Sequence, residues 1–212
     1  MSQVDSLEEK QAEAEAGDVN SALWLYEEFG RKRNDVEAAK YWLMLAAIHG
    51  STSARVTFSS VYGAETEFSR ARSIRWLKEV NKDLLNEAEL ARLFSLLGRL
   101  LEKDSDKESI KYFLYAAVLD PTLFSFSLVE ACSSKELYEC VYVWGRFSEN
   151  YLKEDSPYRR RVQEMVNQSF DENVNFDVIN KASVRLAEIS ELPPIEKMRL
   201  ADDIAILLAM ND

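Results

Sequence analysis

Few residues of this chain have the types and spacing that acid–base or nucleophilic catalysis requires. The single histidine, His49, stands just before Gly50, where a helix is expected to end. Adjacent carboxylates occur at Glu8–Glu9, Glu27–Glu28 and Asp202–Asp203. Neighbouring residues on a helix point about 100° apart, so these pairs do not converge on one substrate. Glycine-rich phosphate loops, paired-histidine zinc motifs, C-x-x-C pairs and EF-hand loops do not occur in the sequence. We therefore predict no catalytic residue, no metal site, no cofactor and no enzymatic activity.

The two cysteines, Cys132 and Cys140, are eight residues apart. On one continuous helix that spacing corresponds to about 12 Å of rise, which is too far for a disulfide. We expect reduced thiols in the core. The first residues lack a basic start followed by an apolar run, and no stretch approaches the ~18 apolar residues of a membrane span. These features predict a cytoplasmic protein without a membrane segment.

Basic residues form two clusters, and neither belongs to a nucleic-acid-binding motif. Arg159–Arg161 begins a helix near Glu154 and Asp155, so we expect ion pairs there. Three further arginines lie beside Trp76, at positions 70, 72 and 75. The formal net charge of −11 is uneven, because residues 1–30 contain eight acidic residues and one basic residue, whereas residues 31–82 contain ten basic and five acidic residues. The acidic ends would repel phosphates, so a basic protein partner is easier to accommodate than nucleic acid.

The elements that must position these residues are helices. In the segment 35–50, Ala39, Trp42 and Ala46 fall on one helical face, where two small side chains flank a large ring. Gly50 suits a left-handed helix end, and Ser51 offers a cap to the next helix. The pattern recurs at a period near 34 to 37 residues, since Gly17 precedes Gly50 by 33 residues and Trp76 follows Trp42 by 34. A period of this length with paired helices is typical of a tetratricopeptide-type solenoid.

These residues resemble the Sel-one-like repeat, a relative of the tetratricopeptide repeat, over residues 17–82. The second helix of that pattern is matched by Asp35, Ala39, Trp42, Ala46, Ala47 and Gly50, and the next first helix by Gly50, Ala54, Phe58 and Tyr62. Where the family has Gly-x-Gly-Val, this chain has Gly30-Arg31-Lys32-Arg33. The resemblance implies an α–α superhelix and an adaptor that holds peptides or proteins on a concave surface.

Along the chain we predict one all-α domain over residues 1–212, with repeats in 1–120 and divergent helices plus a C-terminal cap in 121–212. A capping box at Ser6–Glu9 and another at Asn86–Glu89 predict helix starts. Asp120-Pro121 and Ser156-Pro157 predict two more. Further helices are predicted over 135–152 and 195–210, and the last should cover the end of the solenoid.

We predict a cytoplasmic adaptor that binds a protein partner in its concave groove. Trp24 leans off the inward stripe of its helix, where it either packs against the N-terminal helix or anchors that partner. The resemblance adds Glu28, Arg55 and Ser59 as candidate contacts, because first helices of the repeat line the concave face. An alternative is a bacterial immunity protein that neutralises a basic toxin, which should have one very tight partner where an adaptor has several weaker ones.

Overall fold

The computed structural model describes residues 3–170 and 174–208, and over these residues the fold is all-α, as predicted. Twelve α-helices follow one another without a strand among the described residues. Their bounds are α1 Gln3–Glu15, α2 Val19–Glu27, α3 Val36–Ile48, α4 Thr52–Tyr62, α5 Glu67–Glu79, α6 Glu87–Leu101, α7 Asp106–Leu119, α8 Pro121–Ser134, α9 Tyr138–Ser148, α10 Pro157–Phe170, α11 Phe176–Ala187 and α12 Pro194–Leu207. None of these helices has both the length and the apolar run needed to cross a bilayer.

The chain divides into two compact units, Met1–Val80 and Asn81–Asp212. The first contains α1–α5 and the second α6–α12. The division falls at residues 80–81. The predicted change near residue 120, from repeats to divergent helices within one domain, stays a prediction. That the whole chain is one helical-repeat domain stays a prediction.

Caps read from the sequence begin and end the helices of the first unit. Gly50 has a φ of +96°, a backbone conformation that side chains with a Cβ rarely adopt, and it follows the end of α3. Ser51 then accepts a hydrogen bond from the Ala54 N–H at 3.2 Å and opens α4. One predicted start is wrong, because α1 begins at Gln3, ahead of the proposed capping box at Ser6.

The core of the first unit is built from the predicted stripe. Trp42 is buried between Ala39 and Ala46, and helices α2, α3, α4 and α5 pack in chain order. Phe58 on α4 contacts the Trp76 ring edge to face, with ring centroids 5.6 Å apart. The small residues let adjacent helices approach closely, and the aromatic rings fill the remaining space.

In the second unit the last helix folds back onto an earlier one. The Asn86–Glu89 capping box forms as predicted and opens α6. Packing then runs from α7 to α8, α9, α11 and α12, and α12 returns to α7. A solenoid repeat contacts only its neighbours, so this closed circuit differs from the expected cap on the end of an open stack. The superhelix stays a prediction.

Polar contacts join α12 to α6 and α7. Asp202 accepts a hydrogen bond from the Tyr115 hydroxyl at 2.6 Å and pairs with Lys111 at 2.9 Å. Lys197 pairs with Glu87 at 2.5 Å. Burial, with the hydrogen bond to Asp202 as the second cause, raises the pKa of Tyr115 from 10.0 to about 12.

Tyr115 should therefore titrate well above the ordinary pKa of a tyrosine. The raised pKa means that the protonated phenol stabilises the fold; this contribution is complete below pH 10 and is lost as the pH rises through about 12. The tyrosinate absorbance of the wild type minus that of Tyr115→Phe should show one titrating group with a pKa near 12. The free energy of unfolding of the variant should depend less steeply on pH between pH 10 and pH 12. A difference curve centred near 10 would contradict this assignment.

The cysteine prediction is wrong in its main point, because Cys132 and Cys140 form a disulfide. Both are buried, as predicted, but they lie on two helices. The predicted helix over 135–152 spans only Tyr138–Ser148, and Glu136, with a φ of +58°, reverses the chain between α8 and α9. Two helices joined by a short turn run side by side, so the two Cα atoms are 6.0 Å apart where one helix would separate them by about 12 Å.

Candidate partner-binding surfaces

The predicted contact Trp24 lies on the surface of the first unit. Its side chain is 39% exposed, and the Lys32 ammonium lies 5.9 Å from the ring centroid. Lys32 also pairs with Glu28 at 2.6 Å, and Arg33 lies 3.5 Å from the same carboxylate. The hydrogen bond from Lys32 holds the pKa of Glu28 below its ordinary value. We call Trp24, Glu28, Lys32 and Arg33 the Trp24 surface.

This surface is shaped by a π-helical turn that the sequence did not predict. The turn spans Glu28–Lys32, and the Arg33 N–H donates to the Glu28 carbonyl five residues earlier, at 3.2 Å. Asn34 then adopts a φ of +54°, and Asp35 caps α3. The turn includes Gly30-Arg31-Lys32, where the repeat family has a glycine-rich loop. Its wider winding brings Lys32 and Arg33 to the same carboxylate.

Arg55 lies on α4, and its guanidinium contacts groups of α3 and α5. Its Nε donates to the carbonyl of Ala47 at 3.0 Å, in the last turn of α3, and its Nη1 lies 3.7 Å from Glu79. The Ala47 carbonyl also accepts the Gly50 N–H at 3.2 Å, so Arg55 adds a side-chain donor to the C-terminal turn of α3. Arg55 therefore holds α3, α4 and α5 together.

Ser59 is buried and offers no surface to a partner in this structure. Its side chain is 1% exposed, and its hydroxyl has no hydrogen-bond partner. The hydroxyl of Ser73 on α5 is also buried without a hydrogen-bond partner. The structure thus brings Trp24 and Glu28 together on one surface, whereas Arg55 and Ser59, one turn apart on α4, serve the interior.

A second surface, formed by α3 and α5, was not among the predicted contacts. Tyr41, Met44 and Ile48 are spaced on one face of α3, and Tyr41 and Ile48 are each about half exposed. On α5, Phe68, Arg72 and Arg75 share a face in the same way, and Phe68 is 69% exposed. Arg72 joins the two helices, because its Nη1 lies 3.1 Å from the sulfur of Met44. We call these six residues the α3–α5 face.

Arg72 is the central side chain of the α3–α5 face. Its guanidinium carbon lies 4.3 Å from the centroid of Phe68 and 5.6 Å from that of Trp76. A pocket of about 380 Å³ is lined by Phe68, Ala71, Arg72 and Arg75. The stacked rings restrict the rotation of the guanidinium and leave an aromatic and a cationic group side by side on the surface.

A sequence signal for this face existed, because the arginines at positions 70, 72 and 75 beside Trp76 were apparent. Tyr41 and Ile48 also fall off the buried stripe of α3. The sequence did not predict the contact between Met44 and Arg72, which are 28 residues apart. This contact joins the exposed face of α3 to that of α5.

The residues considered as candidates for catalysis or for metal or anion binding do not come together in the structure. His49 follows the end of α3, with its ring against Gly17. Within the part of the chain that the structure describes, no group of three or more potential metal ligands comes together. Arg161 forms an ion pair, as predicted, but with Glu130 of α8 at 2.7 Å rather than with Glu154 or Asp155. Arg159 donates to the carbonyl of Leu152 at 3.1 Å.

A groove of about 510 Å³ lies between α6, α7 and α8. Its floor includes Ile110 and Phe113, and its charged lining contains acids and bases in equal number, namely Arg99, Glu102, Glu130 and Lys135. Burial raises the pKa of Glu102. Since both signs of charge line the groove, it has no charge preference for a ligand.

The described residues form an all-helical protein, and its first unit presents exposed aromatic and arginine side chains on the Trp24 surface and on the α3–α5 face. The chain matches no protein-family model, no curated protein and no solved structure. The resemblance of residues 17–82 to the Sel-one-like repeat stays a prediction.

Proposed function

We propose that the chain is a non-enzymatic protein-binding module and that its partner docks on the α3–α5 face. The observation that carries this proposal is the composition of that face: two aromatic side chains, an isoleucine, a methionine and two arginines on α3 and α5, which the contact between Met44 and Arg72 connects. Tyrosine, phenylalanine, methionine and arginine are the residues enriched at protein interfaces, and contiguous exposed apolar side chains mark interaction sites.

The helical-repeat class and the cytoplasmic location are part of the same proposal. Helices α2 to α5 pack in chain order, which supports a Sel-one-like superhelix in the first unit. Reduced cysteines were one reason to predict a cytoplasmic location. The Cys132–Cys140 disulfide removes that reason, because disulfides persist mainly in oxidising compartments.

The immunity-protein alternative is favoured by a different surface of the first unit. Helix α1 exposes Glu8, Glu9 and Glu15, and its one base, Lys10, is paired with Glu13 at 2.6 Å. An acidic helix would steer a basic toxin toward the chain. The discriminating property is the number of partners, since an immunity protein should hold one partner very tightly.

The proposal is tested by placing a photo-crosslinking amino acid at Tyr41 or Ile48 in the full chain, in the cells that produce it. Matched controls carry the same residue at Leu123 or Val184, which are also exposed apolar positions but lie in the second unit. We expect a protein adduct of defined mass from both face positions and not from the controls. Identical adducts from all four positions, or none from the face, would overturn the proposal. One adduct indicates a dedicated partner and several indicate an adaptor.

A further inference from the structure

We infer that the α3–α5 face binds an acidic segment of its partner, in which carboxylate side chains alternate with apolar ones. This inference rests on the proposed function, because it assigns a chemistry to the occupant of the same face. It opposes the expectation of a basic partner, which came from the net charge of the whole chain.

Helix α5 contains more basic than acidic residues. The helix contains four basic residues, Arg70, Arg72, Arg75 and Lys78, and two acidic ones, Glu67 and Glu79. The six residues of the α3–α5 face include two arginines, 72 and 75, and no acid, and the acids that border it are Glu37, one turn before Tyr41, and Glu79, one turn after Arg75. A partner with carboxylates opposite these arginines gains attraction and faster association, whereas a basic partner is repelled.

Among the described residues no carboxylate lies within ion-pair distance of Arg72, and its one hydrogen-bond acceptor is the weakly accepting sulfur of Met44. The guanidinium is held by Phe68 and Trp76. A held guanidinium loses little rotational freedom when it donates two parallel hydrogen bonds to a carboxylate, so Arg72 is prepared for that ligand.

Arg75 lies one turn further along α5. Its side chain is 71% exposed, and its nearest acid is Glu79, with Nε and Oε1 3.9 Å apart. Glu79 also lies 3.7 Å from Arg55, so one carboxylate serves two arginines. Exposed pairs at this distance contribute little, and Arg75 can exchange Glu79 for a carboxylate of the partner.

The α3–α5 face also has an apolar part. Phe68 shares its face of α5 with the two arginines, and Tyr41 and Ile48 share their face of α3 with Met44, which contacts Arg72. A segment that lies across both helices would meet cationic and apolar groups in turn. It would therefore need carboxylates and apolar side chains in turn, which excludes a uniformly acidic chain as the best ligand.

The experiment uses the full chain with its disulfide intact and three labelled peptides of equal length. All three have the same leucine and phenylalanine positions, and the remaining positions are glutamate, glutamine or lysine. Dissociation constants are measured by fluorescence anisotropy for the wild type, for Phe68→Ala, for the double variant Arg72→Gln/Arg75→Gln, and for the control Arg31→Gln. Arg31 is an exposed arginine of the same unit, and it pairs with Glu27 outside this face.

We expect the glutamate peptide to bind the wild type at least about tenfold more tightly than the glutamine peptide, and the lysine peptide to bind weakest. The double arginine variant should lose most of that preference, Phe68→Ala should weaken binding of all three peptides, and Arg31→Gln should change little. Equal binding of the three peptides would overturn the inference but leave the proposed function intact, since the crosslinking result does not depend on charge. No binding of the glutamate peptide would also overturn it.

A second copy of this chain is the other possible acidic occupant, through α1. Sedimentation of the wild type and the double arginine variant at increasing concentration distinguishes this case. A monomer at all concentrations supports an external acidic segment. Self-association that the double variant abolishes would assign the face to a second copy and overturn the inference as stated.

Discussion

Replacing Trp144 by alanine is expected to lower the free energy of unfolding of the second unit by about 3–5 kcal/mol. Trp144 lies on α9, is 0% exposed, and contacts the Phe147 ring edge to face with centroids 5.2 Å apart. Helix α9 packs against α8, α10 and α11, so the cavity left by the indole would open at the centre of three helix contacts. The neighbouring helices cannot all move inward at once, and the lost contacts are not regained. Denaturant unfolding followed by far-ultraviolet circular dichroism measures the effect.

Trp24→Ala is the matched control for that substitution. The same atoms are removed from a side chain that is 39% exposed, so the expected loss is about 1 kcal/mol or less. Trp144→Phe should fall between the two, because the Trp144 indole N–H is buried without a hydrogen-bond partner and phenylalanine removes that unpaired donor. Equal midpoints for the two alanine variants would contradict the burial of Trp144.

Reducing the Cys132–Cys140 disulfide is expected to lower the free energy of unfolding by about 2–3 kcal/mol. The cross-link closes a segment with a sequence separation of eight residues, and it limits the conformations of the unfolded chain. In the folded state the two cysteines join α8 to α9 on either side of the turn at Glu136. Unfolding with and without a reductant that has been given time to act measures the difference.

The double variant Cys132→Ala/Cys140→Ala is the control for reduction. Its stability should be close to that of the reduced wild type and should not respond to reductant. Mass measurement after alkylation under unfolding conditions tests the bond itself. Two alkylated cysteines in the untreated protein would contradict the disulfide.

Most of the helices could be predicted from the sequence, because their starts and ends depend on neighbouring residues. Asp120 caps α8 with Pro121 at its first position, and Gly50 ends α3 through its positive φ. Ser6 shows the limit of this reasoning, since a capping pattern within a helical stretch does not make a helix start there.

The candidate site was predicted only in part. Trp24 was recognised because its position off a buried stripe is a local property of α2. Ser59 was assigned to a surface by analogy with the repeat, but α5 packs against α4 and buries it. The α3–α5 face was missed because it exists only where two helices meet.

The sequence by itself determined the helical fold class, the caps and the buried stripes, because hydrophobic periodicity and capping act over a few residues. Only the tertiary structure determined the formation of the disulfide, the packing of α12 against α7 and the α3–α5 face. Each of these needs groups from separate helices to meet: Tyr115 and Asp202 are 87 residues apart, and Met44 and Arg72 are 28 apart. Such contacts follow from how helices pack in space, and the local pattern of either segment does not specify which other segment it will meet.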